Sequence, residues 1–128
     1  MIDCATIGDS IAVGIQQINR CELHAKGGRS TRQQAIMAEH ITTGTAIISL
    51  GSNDPDNAFL LRDLRTVRSN VKANIVVWIV PYNARAGALV RQTAFEFGDR
   101  IIELVEFASR DRVHPNNYGT VARLIGVK

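Results

Sequence analysis

Aromatic residues are scarce in this chain, with one Trp, two Tyr and four Phe, and the basic residues never form a run. A nucleic-acid surface needs clustered positive charge interleaved with stacking side chains, so no nucleic-acid partner is expected. No apolar stretch approaches the roughly 20 residues needed to cross a bilayer. Asp3 and the Gly8-Asp9-Ser10 turn come too early for a secretory signal. The expectation is a soluble protein with no membrane partner, cytoplasmic or released without a signal peptide. Cysteine is limited to Cys4 and Cys21, too few for a disulfide framework. Cys4, inside a predicted first strand, is expected to act as a small buried hydrophobe. No Cys/His/Asp cluster has metal-ligand spacing. The stretch from Gly8 to Gly14 lacks the lysine of a P-loop and the third glycine of a dinucleotide turn. No metal and no cofactor are expected.

What is present is the balance of an ordinary globular domain: 128 residues, 45% apolar and 21% charged. A chain of this size buries roughly two-thirds of the surface its unfolded form exposes, so residues 1–128 read as one domain without a staple. Net charge is +3, and 12 of the 15 basic residues are arginine. Arg62, Arg65 and Arg68 fall on one predicted helix as a solvated face. Arg29, Arg85 and Arg112 adjoin the loops discussed below, where they are candidates for holding an acidic substrate.

Strand and helix patterns alternate along the chain. Residues 2–7 are a short apolar run ending at a glycine turn, followed by a helical spacing through Ile11, Ile15 and Ile18. Residues 21–25 form a weaker strand. Ser30 and Thr31 ahead of Gln33 and Gln34 are a capping-box signature, opening a helix predicted to run to Ile41. Residues 46–50 are a continuous apolar strand of the kind covered on both faces. Asp54-Pro55 then predicts a helix start, aspartate as cap and proline at the first helical position, with Leu60, Leu64, Val67 and Val71 inward. Residues 75–80 make the strongest strand, with Trp78 in the core. A helix with Leu89, Val90, Ala94 and Phe97 inward runs to Gly98. Residues 101–105 are a fifth strand, and Pro115 is expected to open the last helix. Strands separated by helices imply an α/β fold with a parallel sheet and right-handed crossovers.

Three loops carry residues with chemical potential. Gly8-Asp9-Ser10 supplies a hydroxyl at the first turn of a helix, where free N–H groups and the helix dipole favour developing negative charge. Asp111-Arg112-Val113-His114 puts a carboxylate and an imidazole three residues apart. A serine hydrolase needs a nucleophile, a base and an orienting acid, and these two loops hold all three. Gly51-Ser52-Asn53-Asp54 follows an apolar strand and is by itself a good turn and cap. Asp9 is expected to hold its turn, Asp54 to cap, His24 to be a satisfied structural histidine, and His40 to lie at the surface. Tyr82-Asn83, just past the fourth strand, is a candidate for the cleft lining.

Taken in order, Ile7-Gly8-Asp9-Ser10, the glycine of Gly27-Gly28-Arg29-Ser30, Gly51-Ser52-Asn53-Asp54 and Asp111-Arg112-Val113-His114-Pro115 resemble the four blocks of the SGNH hydrolases, the GDSL-type esterases and lipases. The blocks run from residue 7 to residue 115. The chain departs from the family pattern at Ile11, where leucine is common, at Arg29, where an acidic residue often follows the glycine, and in its short length. The resemblance implies a flavodoxin-like three-layer α/β/α sandwich with a five-stranded parallel sheet in the order 2-1-3-4-5. It implies Ser10 as nucleophile, His114 as base and Asp111 as orienting acid. An oxyanion hole would come from the N–H groups of Ser10 and Gly28 and the side-chain amide of Asn53. In such a sheet all four segments emerge at the carboxyl edge, near the switch point between strands 1 and 3.

The expected activity is hydrolysis of a small-molecule or glycan ester through an acyl-enzyme. Short loops argue for an open cleft and a small acyl group, acetyl above all, on a larger carrier. Thioester or lysophospholipid hydrolysis is the alternative within the enzyme class, and a non-catalytic binding or assembly module that keeps the fold is the alternative outside it. The residues say nothing about oligomeric state.

Overall fold

A computed structural model describes residues 3–126. Alternation of strand and helix gives β1 (Cys4–Gly8), α1 (Ser10–Asn19), β2 (Glu22–Ala25), α2 (Thr31–Met37), β3 (Ile41–Ser49), α3 (Leu60–Ser69), β4 (Val71–Val80), α4 (Ala84–Phe97), β5 (Arg100–Glu103) and α5 (Tyr118–Ile125). A single 3₁₀ turn, Leu104–Glu106, follows β5. The strands form one sheet in the order β2-β1-β3-β4-β5, and every pairing is parallel. This is the expected order.

Period-two patterning explains the layers. Ala5, Ile7, Ala46, Ile48, Val76, Trp78 and Val80 face one side, against Leu60, Leu64 and Val67 of α3 and Val90 and Ala94 of α4. Cys4, Ile47, Val77 and Ile79 face the other, against Ile11 and Ile15 of α1 and Val121, Ala122 and Ile125 of α5. The central strands are therefore apolar on both faces along residues 46–48 and 76–80, which is why those stretches read as continuous runs in sequence. β3 and β4 begin earlier than the apolar runs predicted, at Ile41 and Val71. Their first halves carry Thr42, Lys72 and Asn74, which are exposed, and polar strand residues leave no hydrophobic signal.

Several boundaries differ from the expectation. The capping box of Ser30 and Gln33 is formed, but α2 ends at Met37, where Ala38 turns left-handed, and Ile41 opens β3 instead of closing the helix. Asp54 is a cap, yet of α2: its carboxylate accepts from Thr31 N–H, Thr31 Oγ1 and Arg32 N–H at 3.0, 3.0 and 3.2 Å. With that carboxylate engaged, residues 54–59 form turns and α3 begins only at Leu60. Pro115 is buried in the preceding loop, and Asn117 caps α5. Ile18 and Phe97, predicted inward, are 54% and 39% exposed. Phe97 instead lies under the Arg68 guanidinium at 4.8 Å. Arg68 is also no solvated charge, because it pairs at 2.7 Å with the buried Asp99 carboxylate, which Trp78 Nε1 also engages at 2.9 Å. Ile2 lies outside the described residues.

Cys4 is buried, as expected of a small core hydrophobe, but it is bonded to Cys21 across 17 residues, with the two Cα atoms 5.0 Å apart. The bridge arises because α1 returns the chain to the start of β1 before β2 begins. It closes the β1-α1 unit that presents Ser10. In the chain-entropy account, a loop of this length stabilises by about 3 kcal/mol. Reduction, or the Cys4→Ser/Cys21→Ser pair, should lower the thermal midpoint by roughly 10 °C in calorimetry. An unchanged midpoint after verified reduction would show that the bridge contributes nothing.

Candidate active site

Each loop of interest leaves the carboxyl end of a strand, and backbone bonds hold the loops together. Asp9 N–H donates to the Ser49 carbonyl at 3.1 Å, and Lys26 N–H to the Gly8 carbonyl at 3.0 Å. Gly8 lies opposite Ser49, the last residue of β3. Its φ is +130°, and a Cβ there would lie 1.9 Å from the Ser49 carbonyl oxygen, so only glycine fits. Asp9 caps α1, accepting from Ile11 and Ala12 N–H and from Ser49 Oγ at 2.9 Å. It is fully buried, and its Oδ2 has no partner. Burial raises its carboxyl to about 6 despite the bonds from Ser49, Ala12 and Ile11 that oppose the shift. Asp9 thus holds the turn, as expected, and the cap starts the helix at Ser10.

Ser10 Oγ lies 2.9 Å from His114 Nε2. The other ring nitrogen, Nδ1, lies 2.8 Å from Asp111 Oδ2. An ionised carboxylate only accepts, so Nδ1 carries the proton and Nε2 offers its lone pair to the serine hydroxyl. The His114 ring, then the N–H groups of His114 and Val113, hold the Asp111 carboxyl well below the usual carboxylate range. Asp111 Oδ1 accepts those two N–H groups at 2.8 and 2.9 Å. One residue therefore folds its loop with one oxygen and orients the imidazole with the other. The site is open: the His114 and Asp111 side chains are 43% and 54% exposed.

The structure thus brings Ser10, His114 and Asp111 into one continuous hydrogen-bonded chain. Gly28 and Asn53 lie on the neighbouring loops. Gly28 is exposed in a turn closed by Arg29 N–H to the Lys26 carbonyl at 3.1 Å. Its φ is +81°, and a Cβ there would meet nothing, so conformation, with no packing constraint, calls for glycine. Asn53 Nδ2 donates to the Arg29 carbonyl at 2.9 Å, which ties the β3 loop to the Gly28 loop. Beside them an open groove of about 480 Å³ is lined by Lys26, Gly28, Arg29, Gln33, Ile36 and Met37.

The remaining candidates are placed as follows. Tyr82 is buried and donates to the Phe107 carbonyl at 3.0 Å, while Asn83 caps α4 through Ala86 N–H. Both are therefore held by structural bonds. Arg112, at a positive φ of 60°, stacks 5.7 Å over the Tyr82 ring. Arg85 bonds the Pro55 carbonyl. Arg29 bonds the His24 carbonyl and Gln34. None of these three arginines pairs with a carboxylate among the described residues. His24 is satisfied, between Glu22 and Glu39, and His40 is exposed.

This chain has the fold of Est24, a carbohydrate acetylesterase from Sinorhizobium meliloti, at a TM-score of 0.63 over 96% of this chain and 97% of that one. The fold is shared with a known esterase. Sequence identity is 11%, so the likeness is one of architecture. No family model matches the sequence, and no curated protein matches it. Among the described residues, no helix is long and apolar enough to cross a membrane.

Sequence reasoning missed two residues that shape the site. Ser109 Oγ donates to the His114 carbonyl at 2.6 Å and accepts Arg112 N–H at 2.9 Å, closing the Asp111 loop on itself. A serine two positions before an Asx turn is the signal that would have pointed to it. Ser49, on the last position of β3, supports Asp9 and carries no comparable local signature.

Proposed function

We propose that this chain, as one domain, is a serine ester hydrolase of the SGNH type. The observation that carries the reading is the unbroken relay from Ser10 Oγ through His114 to Asp111, with links of 2.9 and 2.8 Å. In the proposed reaction, Ser10 Oγ attacks the ester carbonyl carbon while His114 Nε2 takes its proton. The carbonyl oxygen becomes an oxyanion, received by the N–H groups of Ser10 and Gly28 and by the Asn53 amide. The tetrahedral adduct collapses, the C–O bond to the leaving group breaks, and His114 returns the proton to the departing alcohol. Water, deprotonated by the same imidazole, then attacks the acyl-enzyme; the bond from the acyl carbon to Ser10 Oγ breaks, His114 returns the proton to Oγ, and the acid is released. Asp111 stays ionised throughout, holding the ring in the productive tautomer and stabilising its cation.

An acetyl ester on a carbohydrate carrier is the substrate class we favour. The shared fold with a carbohydrate acetylesterase supports it. So does the openness of the site, where the His114 and Asp111 side chains are 43% and 54% exposed. The buried Cys4–Cys21 bridge favours release over residence in a reducing cytosol. Hydrolysis of p-nitrophenyl acetate, butyrate and octanoate should decline as the chain lengthens, in kcat/KM. A maximum at octanoate would reject the small-acyl reading and point to a lysophospholipase or thioesterase. Ser10-independent hydrolysis, or none, would point to a binding module.

A further inference from the structure

The least explained feature of the site is its third oxyanion donor, since an asparagine amide can turn either end towards the substrate. Resting on the proposed esterase reading, we infer that Arg29 is a positioning residue that fixes the Asn53 amide with its nitrogen towards the oxyanion site. The Arg29 carbonyl can only accept. At 2.9 Å it therefore selects Nδ2 of Asn53; a flipped amide would set two oxygens against each other. Nδ2 carries two hydrogens, so one N–H is spent on this bond and the second is left for the reacting oxygen.

The carbonyl is fixed because Arg29 is held from both sides. Its N–H closes the Gly28 turn onto the Lys26 carbonyl at 3.1 Å. Its guanidinium reaches back through Nη1 to the His24 carbonyl at 3.2 Å and to Gln34 Oε1 at 3.0 Å. Guanidinium only donates, so Gln34, which is buried, must present its oxygen to Arg29. Its nitrogen then faces the other way, to Glu39 Oε1 at 3.4 Å. Glu39 Oε2 takes His24 Nδ1 at 2.7 Å, and His24 Nε2 meets the Glu22 carboxylate. Each link allows one donor direction, and the directions agree from β2 to the site. Carboxylates at both ring nitrogens favour the imidazolium form of His24. Burial opposes that charge, but Glu22 and Glu39 outweigh it and raise the His24 pKa.

A merely substrate-binding Arg29 would use its guanidinium outward and act on KM. A positioning Arg29 acts on kcat and only through Asn53. Arg29→Met, which keeps length and removes the donors, should lower kcat about tenfold on p-nitrophenyl acetate with KM within about twofold, a part of what losing an oxyanion donor costs. Arg29→Lys, which can still reach both acceptors, should recover most of that loss. In an Asn53→Ala background, Arg29→Met should cost nothing further. Gln34→Leu provides the same test without altering the loop.

The Asn53 side-chain amide can also be followed by NMR without turnover. Its hydrogens should exchange more slowly than those of the exposed Asn74 in the wild type, and as fast in Arg29→Met. A rise in KM at constant kcat, an additive double mutant, or an Asn53 amide unaffected by Arg29→Met would each overturn the inference. Loss of amide protection in Arg29→Met, from a wild type that hydrolyses no ester, would reject the esterase reading while keeping the Arg29–Asn53 coupling.

Discussion

Ser10→Ala should reduce ester hydrolysis to the solvent background, a loss on the order of 10⁴- to 10⁶-fold in kcat, with the fold unchanged. The side chain is half-buried and its hydroxyl meets only His114 among the described residues. Its removal therefore opens no large cavity and orphans no buried group. The loss would be catalytic: without Oγ no acyl-enzyme forms, and the oxyanion donors alone supply only a remnant. His114→Ala should cost about as much, and the double mutant little more than either, because nucleophile and base act as a unit. Steady-state kinetics on p-nitrophenyl acetate, with circular dichroism to check the fold, reads all three. Ser10→Ala retaining a tenth or more of the activity would mean that another group carries the reaction.

Asn53→Ala should lower kcat by about 10²- to 10³-fold, equivalent to about 3–4 kcal/mol of transition-state stabilisation, while leaving KM nearly unchanged. The physical reason is timing. In the proposed reaction, the amide N–H left over from the Arg29 bond has its best acceptor only once the substrate carbonyl becomes an oxyanion. Asn53 is exposed on its loop, and among the described residues its side chain bonds only the Arg29 carbonyl. Its replacement should therefore shift the thermal midpoint little. Loss of kcat together with a large loss of stability would instead make Asn53 a structural pin between two loops.

Much of this molecule was legible in sequence because its signals are local or periodic. Ile47 and Ile48, like Val77 and Trp78, alternate between two faces that are both covered, and that coverage produces the runs that mark the strands. The candidate site residues were legible because Gly8, Gly28, Ser10 and the Asp111–His114 pair occupy particular turns, and turns carry residue preferences. What stayed hidden was long-range pairing. Asp54-Pro55 has every local mark of a helix start, yet Thr31, 23 residues away, claims its carboxylate. Cys4 looked like a core hydrophobe because nothing local places Cys21 beside it. Arg29 reads as a free cation beside a motif, and only its long-range bonds show its guanidinium turned to the His24 carbonyl and Gln34 and its own carbonyl turned to Asn53.

The central claim is that His114 activates the Ser10 hydroxyl, and covalent labelling tests it without knowledge of the natural substrate. The protein would be treated with a fluorophosphonate and digested, and the modified peptide identified by mass spectrometry. A single adduct on Ser10, absent from His114→Ala, is the expected result. An unlabelled Ser10 in folded protein, or labelling that survives loss of His114, would contradict it and leave a binding module built on an esterase fold.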